Sequence, residues 1–213
     1  MALVICVMGE SGSGKTTAMR NLNPEETYYI DCDGKGLSWK GWRKQFNEDN
    51  KNYYRTDFPQ VCKTLLDGIN EKRPKIKYIV VDTLNGLMVG DEMRRIGEKG
   101  YDKWQDLASS VFEIVNDANK YRDDLTVIFT AHSETDRDDN GYSYTRIKTN
   151  GKKLNKIVLE SKFTTVLLAK RKDGKYGFET HSDNSTAKTP LGAFDDDFID
   201  NDIMNVIEVL KDY

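Results

Sequence analysis

A chain of 213 residues, 38% apolar and 31% charged with a net charge of −3, has the size and balance of one α/β domain able to bury a sizeable core. It carries no apolar run of membrane-spanning length and no basic leader with a cleavage site. Its three cysteines, Cys6, Cys32 and Cys62, are too few and too scattered for a disulfide or zinc framework. These features predict a cytoplasmic protein with no membrane partner, its cysteines serving as small buried hydrophobes.

The chain opens on an apolar run, residues 2–8, of the length of a buried strand. Gly9-Glu10-Ser11-Gly12-Ser13-Gly14-Lys15-Thr16 follows and fits G-x-x-x-x-G-K-[ST] without a mismatch. Residues 17–22 continue as a helix. Strand, glycine-rich loop and helix together predict a phosphate-binding loop. Glycines at 9, 12 and 14 let the backbone turn its N–H groups inward around phosphate oxygens at a helix N-terminus. Lys15 then reaches the β- and γ-phosphates, the Thr16 hydroxyl ligates Mg²⁺, and Thr17 completes the set. ATP and Mg²⁺ are the expected ligands.

Asn23-Pro24 breaks the helix, and residues 27–31 (TYYID) read as a second strand ending in Asp31-Cys32-Asp33-Gly34. Asp-Gly is also ordinary turn chemistry. Residues 35–46 hold Trp39 and Trp42 among basic residues, a composition that suits base stacking or a small satellite core. A short strand at 52–56 and a helix at 58–71 precede Tyr78-Ile79-Val80-Val81-Asp82-Thr83. That continuous apolar strand ends in an acid, the Walker B pattern, and delivers Asp82 to the metal shell.

Residues 84–98 and 104–121 are expected helices, the second strongly amphipathic. Residues 125–131 form the next buried strand and run into His132, placed to face the γ-phosphate. Residues 135–141 (TDRDDNG) read as a polar loop, 154–161 as a short helix, 163–170 as a strand, and 175–180 as its hairpin partner across Asp173-Gly174. Ile199, Ile203, Val206, Ile207 and Leu210 space as a C-terminal helix. The whole is expected to be a single domain over 1–213, with the acidic segment 195–213 within it.

Charge is unevenly distributed. Residues 142–176 hold ten Lys/Arg against two acids, and residues 195–213 hold seven acids against one lysine. The basic stretch, with Arg146, Lys148, Lys152 and Lys153 among tyrosines, has the composition of a groove that tracks a nucleic-acid backbone, or of a solvated basic face. The acidic end reads as a mimic of DNA, a docking tail or an ordinary surface helix.

The strand ends TYYIDCD, YIVVDT and VIFTAHSE resemble those of RecA-like ATPases. That resemblance implies an α/β RecA-like P-loop core, with a mostly parallel central sheet flanked by helices and a C-terminal β-hairpin and helix. It also implies Asp33 as the base that orients the attacking water, Asp31 second to it, Asp82 at the metal and His132 as the γ-phosphate switch. Lys170 or Lys172, just before the hairpin turn, is implied as a finger reaching a neighbouring subunit's ATP in a ring or filament. GESGSGKTT, KGLSWKGWRK, MRRIGEKGYDKW and TRIKTNGKKL together are similar to short phage-encoded RecA-like ATPases of recombination and replication modules. The function this implies is a Mg-dependent ATPase that binds single-stranded DNA in annealing or strand exchange, beside a single-strand-binding protein.

Other phosphate-loop families fit less well. Asn155-Lys156-Ile157-Val158 lacks the Asp of a guanine-reading N-K-x-D, and an AAA+ ATPase needs a helical lid for which few residues follow the last strand. A small-molecule phosphotransferase and a nucleotide-regulated protein-binding module stand as the alternative functions.

Overall fold

The computed structural model describes residues 1–137, 140–149 and 158–213, and of residues 101 and 102 only the backbone. Five apolar runs make the parallel centre of one sheet. They are β1 (Leu3–Gly9), β2 (Thr27–Asp31), β4 (Tyr78–Asp82), β5 (Thr126–Arg137) and β7 (Thr165–Lys172), with β3 (Tyr53–Arg55) at the edge beside β2. Two antiparallel strands, β8 (Lys175–Glu179) and β9 (Phe198–Asp200), extend the other side. The order is β3-β2-β4-β5-β1-β7-β8-β9, and β6 (Ser143–Ile147) pairs with the outer half of β5. The expected α/β core with a mostly parallel sheet flanked by helices is therefore present.

Alternation along β1 divides the core in two. Val4, Cys6 and Met8 face a layer made by α2 (Pro59–Lys72), α3 (Leu84–Arg94) and α4 (Tyr101–Ala118), where Leu66, Leu87, Val111 and Val115 meet them. Ile5 and Val7 face the opposite layer. That layer consists of the 3₁₀ turn Thr17–Asn21, the one-turn α1 (Trp42–Gln45) and α5 (Ile203–Leu210). With both faces covered, β1, β2 and β4 have almost no polar interior positions, as parallel strands require.

Several expectations are corrected. The helix after the phosphate loop is a single 3₁₀ turn, because the chain must leave for β2 at Asn23-Pro24. β5 does not end at Ala131 but runs through Arg137. Its polar outer half pairs with β6, so the polarity that suggested a loop from 135 marks solvent exposure of a ladder whose backbone groups are satisfied. Ile199 lies in β9, and α5 starts only at Ile203, where the Asp202 carboxylate accepts from Met204 N–H. Leu159–Lys162 is a 3₁₀ turn; residues 154–157 of the expected helix lie outside the described residues. Trp39 and Trp42 pack with Tyr29, Phe46 and Tyr53 as a satellite core, which removes both indoles from base stacking.

The topology positions the site. β5 lies between β1 and β4, so the phosphate loop and Asp82 emerge two strands apart at the same carboxyl edge of the sheet, where open α/β sheets hold ligands.

Candidate nucleotide-binding and catalytic site

The loop after β1 takes its shape from three glycines with two different duties. Gly12 (φ 78°) and Gly14 (φ 97°) adopt left-handed backbone that a side chain resists. Gly9 does not; a Cβ there would lie 2.5 Å from the Ala169 carbonyl oxygen and 2.5 Å from Ser13 Oγ. Its duty is close approach to β7, which corrects the expectation of positive φ at all three.

Lys15 folds back over the loop, its Nζ donating to the Gly9 and Glu10 carbonyls at 2.7 Å each. Burial lowers the ammonium from 10.5 to about 8; Asp82 opposes that shift and Lys35 adds to it. Among the described residues, the N–H groups of Gly12, Gly14, Lys15 and Thr16 donate no hydrogen bond, and the buried Ser13 Oγ has no partner. Inward donors beside a buried lysine fit a polyphosphate. Ser11 and Thr17 complete this wall, the Thr17 hydroxyl 2.8 Å from Ser38 Oγ.

Asp82 is buried at the end of β4. Its Oδ2 accepts from Thr16 Oγ1 at 2.8 Å and from the Tyr29 phenol at 2.6 Å, and its Oδ1 accepts from Thr130 Oγ1 at 2.6 Å. Burial and the neighbouring carboxylate push the Tyr29 phenol far up, so it remains a donor. A hydroxyl and a carboxylate in contact are hard oxygen donors that fit Mg²⁺, which takes one or two protein ligands with substrate phosphates supplying others. No cluster of three or more His, Cys, Asp or Glu suited to a metal occurs among the described residues. Tyr29 and Thr130 were missed by the sequence reading. Their signal was a polar atom within an otherwise apolar strand.

The two candidate bases separate. Asp31 is buried and spent on its turn: its oxygens accept from the N–H groups of Gly34 and Gly36 and from the Tyr53 hydroxyl. Asp33 is held on one oxygen by Thr83 Oγ1 at 3.0 Å and pairs with Lys35 at 2.5 Å on the other.

His132 stands opposite Gly9 in the β1–β5 register and lines the cleft. Burial, reinforced by Lys15, lowers its imidazole below 6.5, so the ring is neutral at pH 7. Its peptide is clamped. The His132 N–H donates to Asn85 Oδ1 at 2.7 Å, its carbonyl accepts from Lys148 N–H at 2.7 Å, and Asn85 Nδ2 donates to the Lys148 carbonyl at 2.8 Å. Asn85, on α3, had no distinguishing mark in the sequence.

The remaining candidates among the described residues do not line the cleft. Lys170 pairs with Glu179 at 2.6 Å within its own hairpin, and Lys172 Nζ lies 5.8 Å from the Phe198 ring. Arg146, its side chain only 16% exposed, pairs with Asp136 at 2.8 Å and Glu134 at 3.2 Å, so its charge is largely neutralised by β5. Lys148 is exposed. Lys152 and Lys153, like Asn155 and Lys156, lie outside the described residues.

A cleft of about 600 Å³ joins the phosphate loop to Lys35, Ser38 and His132 and, on the side away from Asp82, to Tyr176, Asn201 and Asn205. A family model described as an AAA domain matches residues 1–191. The chain belongs to the AAA domain family. Sequence reasoning had set AAA+ ATPases aside for want of a helical lid, and the match overturns that exclusion. In this AAA domain the chain after β7 makes a hairpin, a third strand and one short helix.

Among solved structures, this AAA domain is similar to a KaiC-like protein from the hyperthermophilic archaeon Pyrococcus horikoshii OT3. The two are 15% identical over 83% of this chain and 76% of that one, with a TM-score of 0.44. No curated protein sequence matches the chain. No helix among the described residues is long and apolar enough to cross a membrane.

Proposed function

We propose that this AAA domain hydrolyses ATP and couples its nucleotide state to single-stranded DNA in phage recombination or replication, through annealing or strand exchange. The observation that carries the ATPase half is the 2.8 Å contact of Thr16 with Asp82 beside the buried Lys15. Loop N–H groups and Lys15 hold the β- and γ-phosphates; Thr16 and Asp82 would hold Mg²⁺, which would supply positive charge beside the transferring phosphoryl group.

Asp33 orients a water and takes its proton as the water oxygen bonds to the γ-phosphorus. The bond to the β-phosphate bridging oxygen breaks, and the electron pair leaves on ADP, where Lys15 balances it. Thr83 holds one Asp33 oxygen still, which leaves the oxygen now on Lys35 for the water. His132 donates to the γ-phosphate. A neighbouring subunit in a homo-oligomeric ring or filament supplies Lys170 or Lys172 to complete the site.

Support for coupling comes from Asn85, whose side chain ties His132 to Lys148 and so joins the γ-phosphate position to the exposed Lys148 at the end of the β5–β6 ribbon. The test is ATP hydrolysis with Mg²⁺, with and without single-stranded DNA, at low and moderate salt. A rate that rises with DNA and loses that rise as salt is added is expected. A DNA-independent rate at low salt removes the DNA half, and no hydrolysis removes the ATPase half.

A second reading, the nucleotide-regulated protein-binding module, is favoured by exposed Val89 and Met93 on α3, which line one hollow with Asp33 and His132. Under it the same assay shows slow hydrolysis indifferent to DNA.

A further inference from the structure

The half of the cleft away from Asp82 has walls that the phosphate chemistry does not use. Tyr176 on β8 and Asn201 just after β9 stand over Gly14: a Cβ on Gly14 would lie 3.2 Å from the Tyr176 ring and 3.1 Å from Asn201 Nδ2. Asn201 is only 6% exposed, yet its amide nitrogen has no hydrogen-bond partner. A buried amide without an acceptor is costly and calls for an explanation. The Asn201 side chain lines the cleft.

The backbone around this amide is fixed. Arg20, on the 3₁₀ turn that follows the loop, donates to the Asn201 carbonyl at 2.5 Å. The neighbouring Asn21 donates to Asp202 at 2.5 Å, while Asp202 also caps α5. Below these polar ties α5 buries Ile203, Val206, Ile207 and Leu210 in the core layer that Ala18 and Met19 of the same turn help to form. The acidic C-terminal segment is thus locked to the phosphate loop's own turn, with one unsatisfied amide packed over Gly14 in a residue that lines the cleft.

We propose that Asn201, with Tyr176 as a stacking face, reads the base of the bound nucleotide and selects adenine. A carboxamide offers one donor and one acceptor side by side, which match the exocyclic amine and N7 of adenine, the edge on which we place the contact. The corresponding edge of guanine presents two acceptors and leaves the amide oxygen unmatched. Tyr176 is 49% exposed at the cleft, where an aromatic face stacks on any base and gains affinity without selectivity. Asn201 lies beyond residue 191, where the family match ends. This inference rests on the nucleotide-binding reading above and adds the base to it.

The test is calorimetric titration of the full chain, with Mg²⁺, by ATP, GTP and inorganic tripolyphosphate. The wild type is expected to bind all three, ATP about tenfold or more tighter than GTP. Asn201→Ala should weaken ATP by about tenfold, erase the preference over GTP and leave tripolyphosphate unchanged. Tyr176→Ala should weaken ATP and GTP alike by about tenfold with tripolyphosphate unchanged, and Tyr176→Phe should restore both. Tyr176 is half exposed, so its variants keep the test open if Asn201→Ala fails to fold. An ATP-to-GTP ratio unchanged in folded Asn201→Ala, a wild-type preference for GTP, or loss of tripolyphosphate binding in folded Tyr176→Ala overturns the inference, while tripolyphosphate binding by the wild type keeps the phosphate site standing. Failure of the wild type to bind any of the three overturns the nucleotide reading beneath it.

Discussion

The Thr16 hydroxyl donates to Asp82 Oδ2 across 2.8 Å, joining the end of the phosphate loop to the end of β4 over 66 positions of sequence. The contact depends on β5 being inserted between the two strands, which sets their carboxyl ends at the separation one hydroxyl can bridge. Tyr29 from β2 and Thr130 from β5 then hold the same carboxylate from either side.

Asp82→Asn and Lys15→Ala should each lower ATP turnover by about 100-fold or more, measured by phosphate release under saturating Mg²⁺ and ATP. Lys15→Ala with turnover intact would remove the central claim. Tyr29→Phe keeps the ring packing but deletes one of three donors, and should cost about 1–2 kcal/mol in denaturant unfolding.

Lys15 sets a pH dependence. Burial places the free protein's ammonium at about 8, below its ordinary 10.5. A bound polyphosphate favours the charged form and raises that value, so binding takes up protons when the free lysine is partly deprotonated. At pH 8 the uptake should be roughly half a proton, read by calorimetry in buffers of different ionisation enthalpy. ATP affinity should fall as pH rises from 7 to 9; affinity that is flat or rises over that range contradicts the lysine's role.

Asp31 and Asp33 are two residues apart and should respond oppositely. Asp31→Asn withdraws an acceptor from a buried turn held by two N–H groups and a phenol, and should cost about 2 kcal/mol of stability. Asp33→Asn should change stability by no more than about 0.5 kcal/mol while turnover falls by about 100-fold. Thermal melts and steady-state rates on the two variants decide between the bases.

Arg146 and Lys148 likewise divide. The Arg146 charge is already balanced by Glu134 and Asp136, so Arg146→Ala should barely change the affinity for a labelled single-stranded oligonucleotide. Lys148→Ala should weaken binding and reduce the slope of log affinity against log salt by about one, as loss of one phosphate contact requires. Fluorescence anisotropy across a salt series measures both.

Much was legible in advance because it depends on short-range pattern. The loop from Gly9 to Thr16 declares itself through residue types a phosphate nest needs, and the apolar runs ending in Asp31, Asp82 and His132 declare strands buried on both faces. The amphipathic stripe of α4 is equally local. Where the pattern misled, a local rule met a long-range partner: Thr135, Asp136 and Arg137 look like a loop until β6 pairs with them, and Ile199 looks helical until β8 draws it into the sheet.

By itself, then, the amino-acid sequence determined a phosphate loop, a strand-borne carboxylate and the α/β class, since each follows from residue type and spacing along one segment. Only the tertiary structure decided which polar groups share a site. Tyr29, Thr130 and Asn85 converge on Asp82 and His132 from separate elements, and Asn201 meets Gly14 only because α5 buries its apolar face against the layer holding the phosphate loop's 3₁₀ turn. Convergence of that kind is set by strand order and core packing, which join positions far apart in the chain.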